Sequence, residues 1–381
     1  MKIVYIYPVF TQLAGTERVF TDKMNYLAEY ANYDITLLTY EQGPHSLPFP
    51  LSSKVKHIDL NVRFFHLYRY WRLVRWYKEW KLNRTLRHKF NIQMKEINPD
   101  IVIAPTYFVN VLKMIAKCPC KFIKILESHI DKRYVYANDG EIWKGGLSYV
   151  RSKYDAIVVG KLASKFDLLV ALSPEDAKDW SRYLKTIVIP NVVNIQRERV
   201  SDLYNKRVVF AGRLVEQKGI SFLLNIWERV HSLYPDWSLD IYGEGKLRDK
   251  ITDEHFSKLN IHVYGPTSCI LDKFCESSLF VLTSVYEPFG LVLPEAMSCG
   301  LPVVSFDCDY GPRKIITNGV DGFLVPVGDT DKFAERVCQL IEDPQLRQKM
   351  GSAGIRSSQR YSPDNIMPQW ISLFEEVLSS R

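Results

Sequence analysis

Short runs of β-branched and aromatic residues alternate with longer helical patterns along the whole chain, and this alternation constrains the fold more than any other feature. One series of runs covers residues 2–7, 34–39, 101–104, 122–126 and 168–171, and a second covers 207–211, 238–242, 261–264, 279–283 and 302–305. Strands separated by helices require right-handed crossovers, which build parallel sheets covered on both faces. Each series therefore reads as a doubly wound, Rossmann-like α/β unit. The 381 residues suit two such domains, at roughly 100–200 residues per domain.

The expected division is a first domain over 1–190, a linker over 191–206, a second domain over 207–362 and a C-terminal helix over 363–381. The break follows Val188-Ile189-Pro190-Asn191, and the polar stretch that ends at Lys206 leads into a fresh strand. Trp370, Leu373, Phe374 and Val377 recur at helical spacing, so the last segment is expected to fold back onto the first domain. In open α/β sheets ligands bind beyond the carboxyl ends of the strands, which places the expected site in a cleft where the two halves face each other.

Several classes are disfavoured. The opening Met1–Tyr7 reads as a strand, without the basic start, long apolar stretch and small-residue cleavage site of a secretory leader. No apolar run approaches the roughly 20 residues of a membrane span. Cys118, Cys120, Cys269, Cys275, Cys299, Cys308 and Cys338 form no CxxC or Cys/His cluster, as expected of reduced thiols in a cytoplasmic protein.

Four segments carry polar residues where chemistry belongs. Glu287-Pro288-Phe289-Gly290-Leu291-Val292-Leu293-Pro294-Glu295 follows a strand, and Gly290 permits close backbone approach before a helix start that suits a diphosphate. By spacing alone its two acids read rather as a solvated loop acid and a helix acid. Gly212-Arg213-Leu214-Val215-Glu216-Gln217-Lys218-Gly219 also follows a strand and sets a bidentate fork and a point charge at a sheet end. Ala14-Gly15-Thr16-Glu17-Arg18 joins the first strand to the first helix, but it is neither a GxGxxG fingerprint nor a P-loop. Glu127-Ser128-His129 ends a strand; its histidine reads equally as structural or as a sugar or proton contact.

Together these segments resemble the retaining nucleotide-sugar glycosyltransferases of the group 1, or family 4, type, most strongly over 208–327. Glu287 to Glu295 fits the family's E-x7-E pattern with its internal Phe289-Gly290. Arg213 and Lys218 fit its phosphate-binding cations, and Ile189-Pro190-Asn191 its interdomain element. Ile241-Tyr242-Gly243-Glu244-Gly245 fits its G-x-G turn, and residues 295–303 its helix-to-strand passage.

The resemblance implies the two-domain GT-B architecture and sugar transfer with retention. It further implies that Arg213 and Lys218 hold the donor diphosphate, Glu295 the ribose and Glu287 the sugar hydroxyls. Backbone N–H groups around Phe289, Gly290, Leu291 and Gly15 would complete the anion cradle, with His129 near the donor sugar and acceptor. No cofactor or metal is expected, since Asp307-Cys308-Asp309, formally DxD, lies in an ordinary loop of the family. The chain departs from the family in Ala14-Gly15 for GG, in Glu127-Ser128-His129 for consecutive E-H, and in Lys314 for the Glu of a GP-x-E-I-I element.

The net charge of +7 concentrates between residues 61 and 90. Arg69, Arg72, Arg75, Lys78, Lys81, Arg84 and Arg87 recur every third residue there, among Phe64, Phe65, Tyr68, Tyr70, Trp71, Trp76, Tyr77 and Trp80. Such a helix suits the surface of an anionic membrane, with aromatics at headgroup level. A solvated basic helix with its aromatics packed on the sheet is the competing reading, and no nucleic-acid-binding motif accompanies the patch. The expected partners are thus a nucleotide-sugar donor, a saccharide or lipid-linked saccharide acceptor and, peripherally, an anionic membrane, but no nucleic acid. A small-molecule or sugar-phosphate acceptor, or a non-catalytic nucleotide-sugar or membrane-binding module, are the alternatives.

Overall fold

Ile3, Val4, Tyr5 and Ile6 are all buried, so neither face of the first strand meets water. A continuous apolar run of this kind marks a central parallel strand covered by helices on both sides. The computed structural model describes residues 1–11, 13–130, 157–195, 199–251 and 258–380. Those up to 130, 157–192 and 367–380 form one compact unit, and those from 193 to 366 a second.

The first unit is built on β1 (Lys2–Ile6), β2 (Asp34–Thr39), β3 (Lys56–Asp59), β4 (Ile101–Pro105), β5 (Ile123–Glu127), β6 (Leu168–Ala171) and β7 (Thr186–Val188), in the order β3-β2-β1-β4-β5-β6-β7. All its pairings are parallel, with Ile3 set between Ile35 and Ile101. The second unit carries β8 (Arg207–Ala211), β9 (Ser238–Tyr242), β10 (Ile261–Val263), β11 (Leu279–Leu282), β12 (Val303–Phe306) and β13 (Gly322–Val325), in the order β10-β9-β8-β11-β12-β13 and again all parallel. Both orders reverse direction once, between β1 and β4 and between β8 and β11. Beyond the carboxyl ends of those strand pairs is where doubly wound sheets bind ligands.

Three further features bear on function. The helix Arg72–Ile97 buries only Leu86, Phe90 and Met94, spaced by four residues, so only its C-terminal half is anchored to the sheet. The aromatic residues of its first half are therefore not packed on the sheet. The C-terminal helix Pro363–Ser379 starts in the second unit, and from Met367 onward its residues belong to the first. Its Trp370 ring lies 4.0 Å from Lys23 Nζ. Finally, the end of the stretch read as a linker is laid onto the second unit: Ser201 N donates to the Cys299 carbonyl at 2.8 Å, and Arg347 Nε donates to the Leu203 carbonyl at 3.2 Å.

Candidate active site

In the second unit, the loop after β8 is tied to the loops after its two neighbouring strands. Gly212 N donates to the Tyr242 carbonyl and Leu214 N to the Glu244 carbonyl, at 3.0 and 2.9 Å. A Cβ on Gly243 would fall 1.9 Å from Gly212 O, and one on Gly245 would fall 2.3 Å from Leu214 O. The G-x-G turn is thus required by the approach of one loop to another. On the other side, Thr283 Oγ1 donates to the Lys218 carbonyl at 2.9 Å and Val285 N to the Gln217 carbonyl at 2.9 Å. Gly219 adopts φ +66°, and a Cβ there would stand 1.9 Å from Thr283 O. Gly219→Ala is therefore expected to cost at least about 2 kcal/mol, through backbone strain and collision together. Urea unfolding checks this, and a loss within error of zero contradicts the close approach.

These ties bring Arg213, Lys218 and Glu287 to one end of the sheet. Lys218 Nζ forms an ion pair with Glu287 Oε2, their side chains 12% and 10% exposed. Ser284 Oγ donates to the same carboxylate oxygen at 3.2 Å. Arg213 stays exposed and donates through Nη2 to Gln217 Oε1 at 3.2 Å, while Gln217 Nε2 reaches the Tyr286 carbonyl at 3.0 Å. Cys308 sits close by, its thiol pushed up to about 12 by burial and by the Glu287 charge. An ammonium has three N–H donors, and one suffices for Glu287. Lys218 therefore neutralises the acid and keeps capacity for a second anion.

Gly290 turns the chain at φ +86° into the helix Val292–Ser298, which carries the buried Glu295, with Leu291 as its N-cap. Phe289 is buried against Tyr361, ring centroids 5.3 Å apart. The Glu287 carbonyl accepts from Gly311 N at 2.9 Å. Tyr310, immediately before, holds φ +78° with a non-glycine side chain. Strain of this kind persists only where the surroundings over-determine it, and here it fixes the Glu287 loop against the next one. Asp307 is held by Arg313 Nε at 3.0 Å. Lys314 is exposed at the end of the same turn, and its carbonyl accepts from Tyr361 Oη at 3.3 Å. Among the described residues, no three His, Cys, Asp or Glu side chains gather as metal ligands.

The first unit holds the other two expected residues. Gly15 opens the helix Gly15–Glu29, and His129 lies buried just past β5. The sequence did not reveal what joins them. Lys23, from that helix, is fully buried and ion-paired with Glu127 Oε2, which also lies 3.0 Å from His129 Nε2. The Phe20 ring stands 5.1 Å from the imidazole. Burial would raise the Glu127 carboxyl, but Lys23 and His129 outweigh it and hold the group below the ordinary carboxylate value. Burial holds His129 below the usual histidine value, with Glu127 offsetting only part of the effect. An ionised Glu127 only accepts, so Nε2 carries the imidazole proton and Nδ1 is left as an acceptor. Glu127 Oε1 and Thr106 Oγ1 are buried here without a hydrogen-bond partner among the described residues. Beside them Tyr7 Oη is 2.8 Å from Tyr107 Oη and 3.4 Å from Glu17 Oε1, and burial raises the Glu17 carboxyl.

The sign of the resulting pH dependence is fixed. The folded values of His129 and Glu127 both lie below their unfolded ones, so on acidification the unfolded chain binds more protons. Stability is thus lost as pH falls from about 6.5, the unfolded histidine value, through the lower folded value. His57, also depressed by burial, acts in the same direction. The unfolding temperature is expected to drop between about pH 7.5 and about pH 5, and His129→Gln to flatten that drop. An equal drop in the variant contradicts a buried neutral His129.

Residues 194–357 match the family described as Glycosyl transferases group 1. Over nearly its full length the chain is similar to the amylovoran biosynthesis glycosyltransferase AmsD of Erwinia amylovora, 26% identical over 97% of this chain and 98% of that one. It is 31% identical to the exopolysaccharide phosphotransferase SCO2592 of Streptomyces coelicolor over 58% of this chain, but only 24% of that longer protein. Among solved structures, sucrose-phosphate synthase from Thermosynechococcus elongatus superposes over both whole chains with a TM-score of 0.80 at 16% identity. HepE of Anabaena, in complex with UDP and glucose, does so with a TM-score of 0.72 at 21% identity. The two parallel-sheet units are those of the GT-B fold, and residues 194–357 are similar to the group 1 glycosyltransferases.

Proposed function

We propose that the protein is a retaining glycosyltransferase that moves a sugar from a nucleotide diphosphate sugar to a saccharide or lipid-linked saccharide. Its setting is surface polysaccharide, lipopolysaccharide or related glycan assembly on the cytoplasmic face of a membrane. One observation carries the donor side: Arg213 and the Lys218–Glu287 pair meet beside the Gly290 turn, beyond the carboxyl ends of β8 and β11. In this reading Arg213 and the remaining N–H donors of Lys218 take the diphosphate. Backbone N–H groups of Phe289, Gly290 and Leu291 approach it, Glu287 meets the sugar hydroxyls and Glu295 the ribose. Charge developing on the leaving diphosphate is met by these fixed cations, with neither metal nor cofactor called upon. In the first unit, Gly15 lies along the donor and His129 offers Nδ1 to donor sugar or acceptor.

Relatives support the setting. AmsD is named for amylovoran biosynthesis, and a poly(ribitol-phosphate) alpha-N-acetylglucosaminyltransferase of Staphylococcus aureus is 25% identical over 74% of this chain and 60% of that protein. The HepE complex holds UDP and glucose. For the membrane side, Tyr68, Trp71, Trp76, Tyr77 and Trp80 are each more than half exposed among the cations of residues 69–87.

The test is thermal unfolding against UDP-, GDP- and ADP-sugars. A bound donor raises stability by mass action, by about 2.7 kcal/mol at a hundred times its dissociation constant. The matching donor is then turned over and the product anomer read by proton NMR. No shift with any nucleotide sugar removes the donor assignment, and an inverted anomer removes retention.

A further inference from the structure

Outside the candidate site, the first unit carries a groove of about 300 Å3 between the helices Arg72–Ile97 and Val109–Ala116. This is the lower end of the size range of small-molecule sites. Trp76, Trp80, Asn83 and Arg87 line it from the long helix, and Asn110 and Lys113 from the short one. Two indoles offer flat apolar faces, two amides offer donors and acceptors, and Arg87 and Lys113 offer positive charge. Glu79 also lines the groove. A carboxylate there opposes a bare anion but accepts hydrogen bonds from hydroxyl groups. The combination fits a ring of hydroxyls that carries a phosphate.

The surface around the groove states where such a ligand comes from. Trp71, Leu73 and Trp76 are each more than two-thirds exposed, and Tyr68 is 78% exposed. Cations sit on these rings: Arg75 Cζ lies 5.0 Å from the Tyr68 centroid, Lys78 Nζ 4.3 Å from Tyr70 and Arg84 Cζ 5.9 Å from Trp80. Aromatic residues interleaved with Arg and Lys suit the headgroup layer of an anionic bilayer, which draws basic segments to it. Several large apolar side chains exposed along one segment mark an interaction surface.

We propose that this groove seats the phosphorylated, polyhydroxylated headgroup of a membrane lipid, on a bilayer met by the exposed aromatic and basic residues 65–84. The inference rests on the membrane side of the proposed function, since a lipid-linked saccharide carries the same sugar–phosphate chemistry. It adds a lipid site apart from the catalytic residues.

Co-sedimentation with vesicles tests it, using phosphatidylcholine alone, phosphatidylcholine with phosphatidylglycerol, and phosphatidylcholine with phosphatidylinositol at equal surface charge. Wild-type protein is expected to bind both anionic vesicles, less so as salt rises, and to prefer the inositol lipid about threefold or more, the worth of one net hydrogen bond. Asn83→Leu/Asn110→Leu leaves charge unchanged and is expected to keep binding to the glycerol lipid while losing the preference. Arg87→Gln, at an exposed position, gives the same loss independently of any packing defect. Equal binding of wild type to both lipids, or a preference retained in these variants, overturns the headgroup seat and leaves membrane contact standing. Binding to neither anionic vesicle at low salt removes the membrane reading itself.

Discussion

Lys218→Met is expected to lower sugar-transfer turnover by about two to three orders of magnitude, the usual effect of deleting one preorganised charge donor from a site where negative charge develops. Two consequences combine. The diphosphate loses a cation, and Glu287, only 10% exposed at its side chain, loses the ammonium that neutralises it. Arg213→Ala removes only the first, because Arg213 is exposed and bonded to Gln217 rather than to Glu287. Turnover in Arg213→Ala should therefore fall with little change in unfolding temperature, whereas Lys218→Met should lose both. Lys218→Arg keeps the charge but brings a larger planar group into a half-buried position, so partial recovery is expected. Wild-type turnover in both Arg213→Ala and Lys218→Met contradicts the assignment.

The second large effect concerns stability. Lys23→Met leaves Glu127 fully buried without its cation, and removing one member of a buried pair typically costs about 3–5 kcal/mol. Lys23→Met/Glu127→Gln removes both charges, and most of that cost should return, because replacement of a whole buried pair is often close to neutral. Denaturant unfolding followed on the first unit's transition reads the coupling. If the double variant is as unstable as the sum of the single ones, Lys23 and Glu127 do not act as a pair. In Lys23→Met, Glu127 also has only His129 to share a proton with, so the imidazole should titrate at higher pH than in wild type. NMR titration of the ring follows this directly, and an unmoved midpoint shows that Lys23 does not govern His129.

Both pairs show where sequence reasoning ends. Apart from β10 at a sheet edge, the strands that it located are interior to their sheets and most read as apolar runs, such as Ile101 to Ala104. It missed β3, β7 and β13, which are sheet edges. Lys56 and His57 of β3 are exposed, so it carries no apolar run, and β7 is only three residues long and half-buried throughout. The resemblance identified Lys218 and Glu287 as separate functional residues. Nothing in the chain announced that they touch, because 69 positions separate them and the contact depends on the crossover from β8 to β11.

Lys23 was more nearly legible. It interrupts an apolar helical stripe of Val19, Phe20, Met24 and Leu27, all buried, and a charge inside such a stripe requires a partner. Its partner lies 104 positions away, beyond the reach of local pattern. Exposure was equally invisible in the aromatic helix. A three-residue period fits both a packed and a solvated helix, and only the burial of Leu86, Phe90 and Met94 decides which half touches the sheet.

The donor site requires that a nucleoside diphosphate bind through Arg213 and Lys218. Calorimetric titration of UDP, GDP and ADP into wild type, Arg213→Ala and Lys218→Met measures this without an acceptor. One nucleotide should bind wild type, and each variant should bind it at least about tenfold more weakly, since a charge-assisted hydrogen bond is worth roughly 1.5–3 kcal/mol. Equal affinity in all three proteins, or no binding of any diphosphate to wild type, would contradict it.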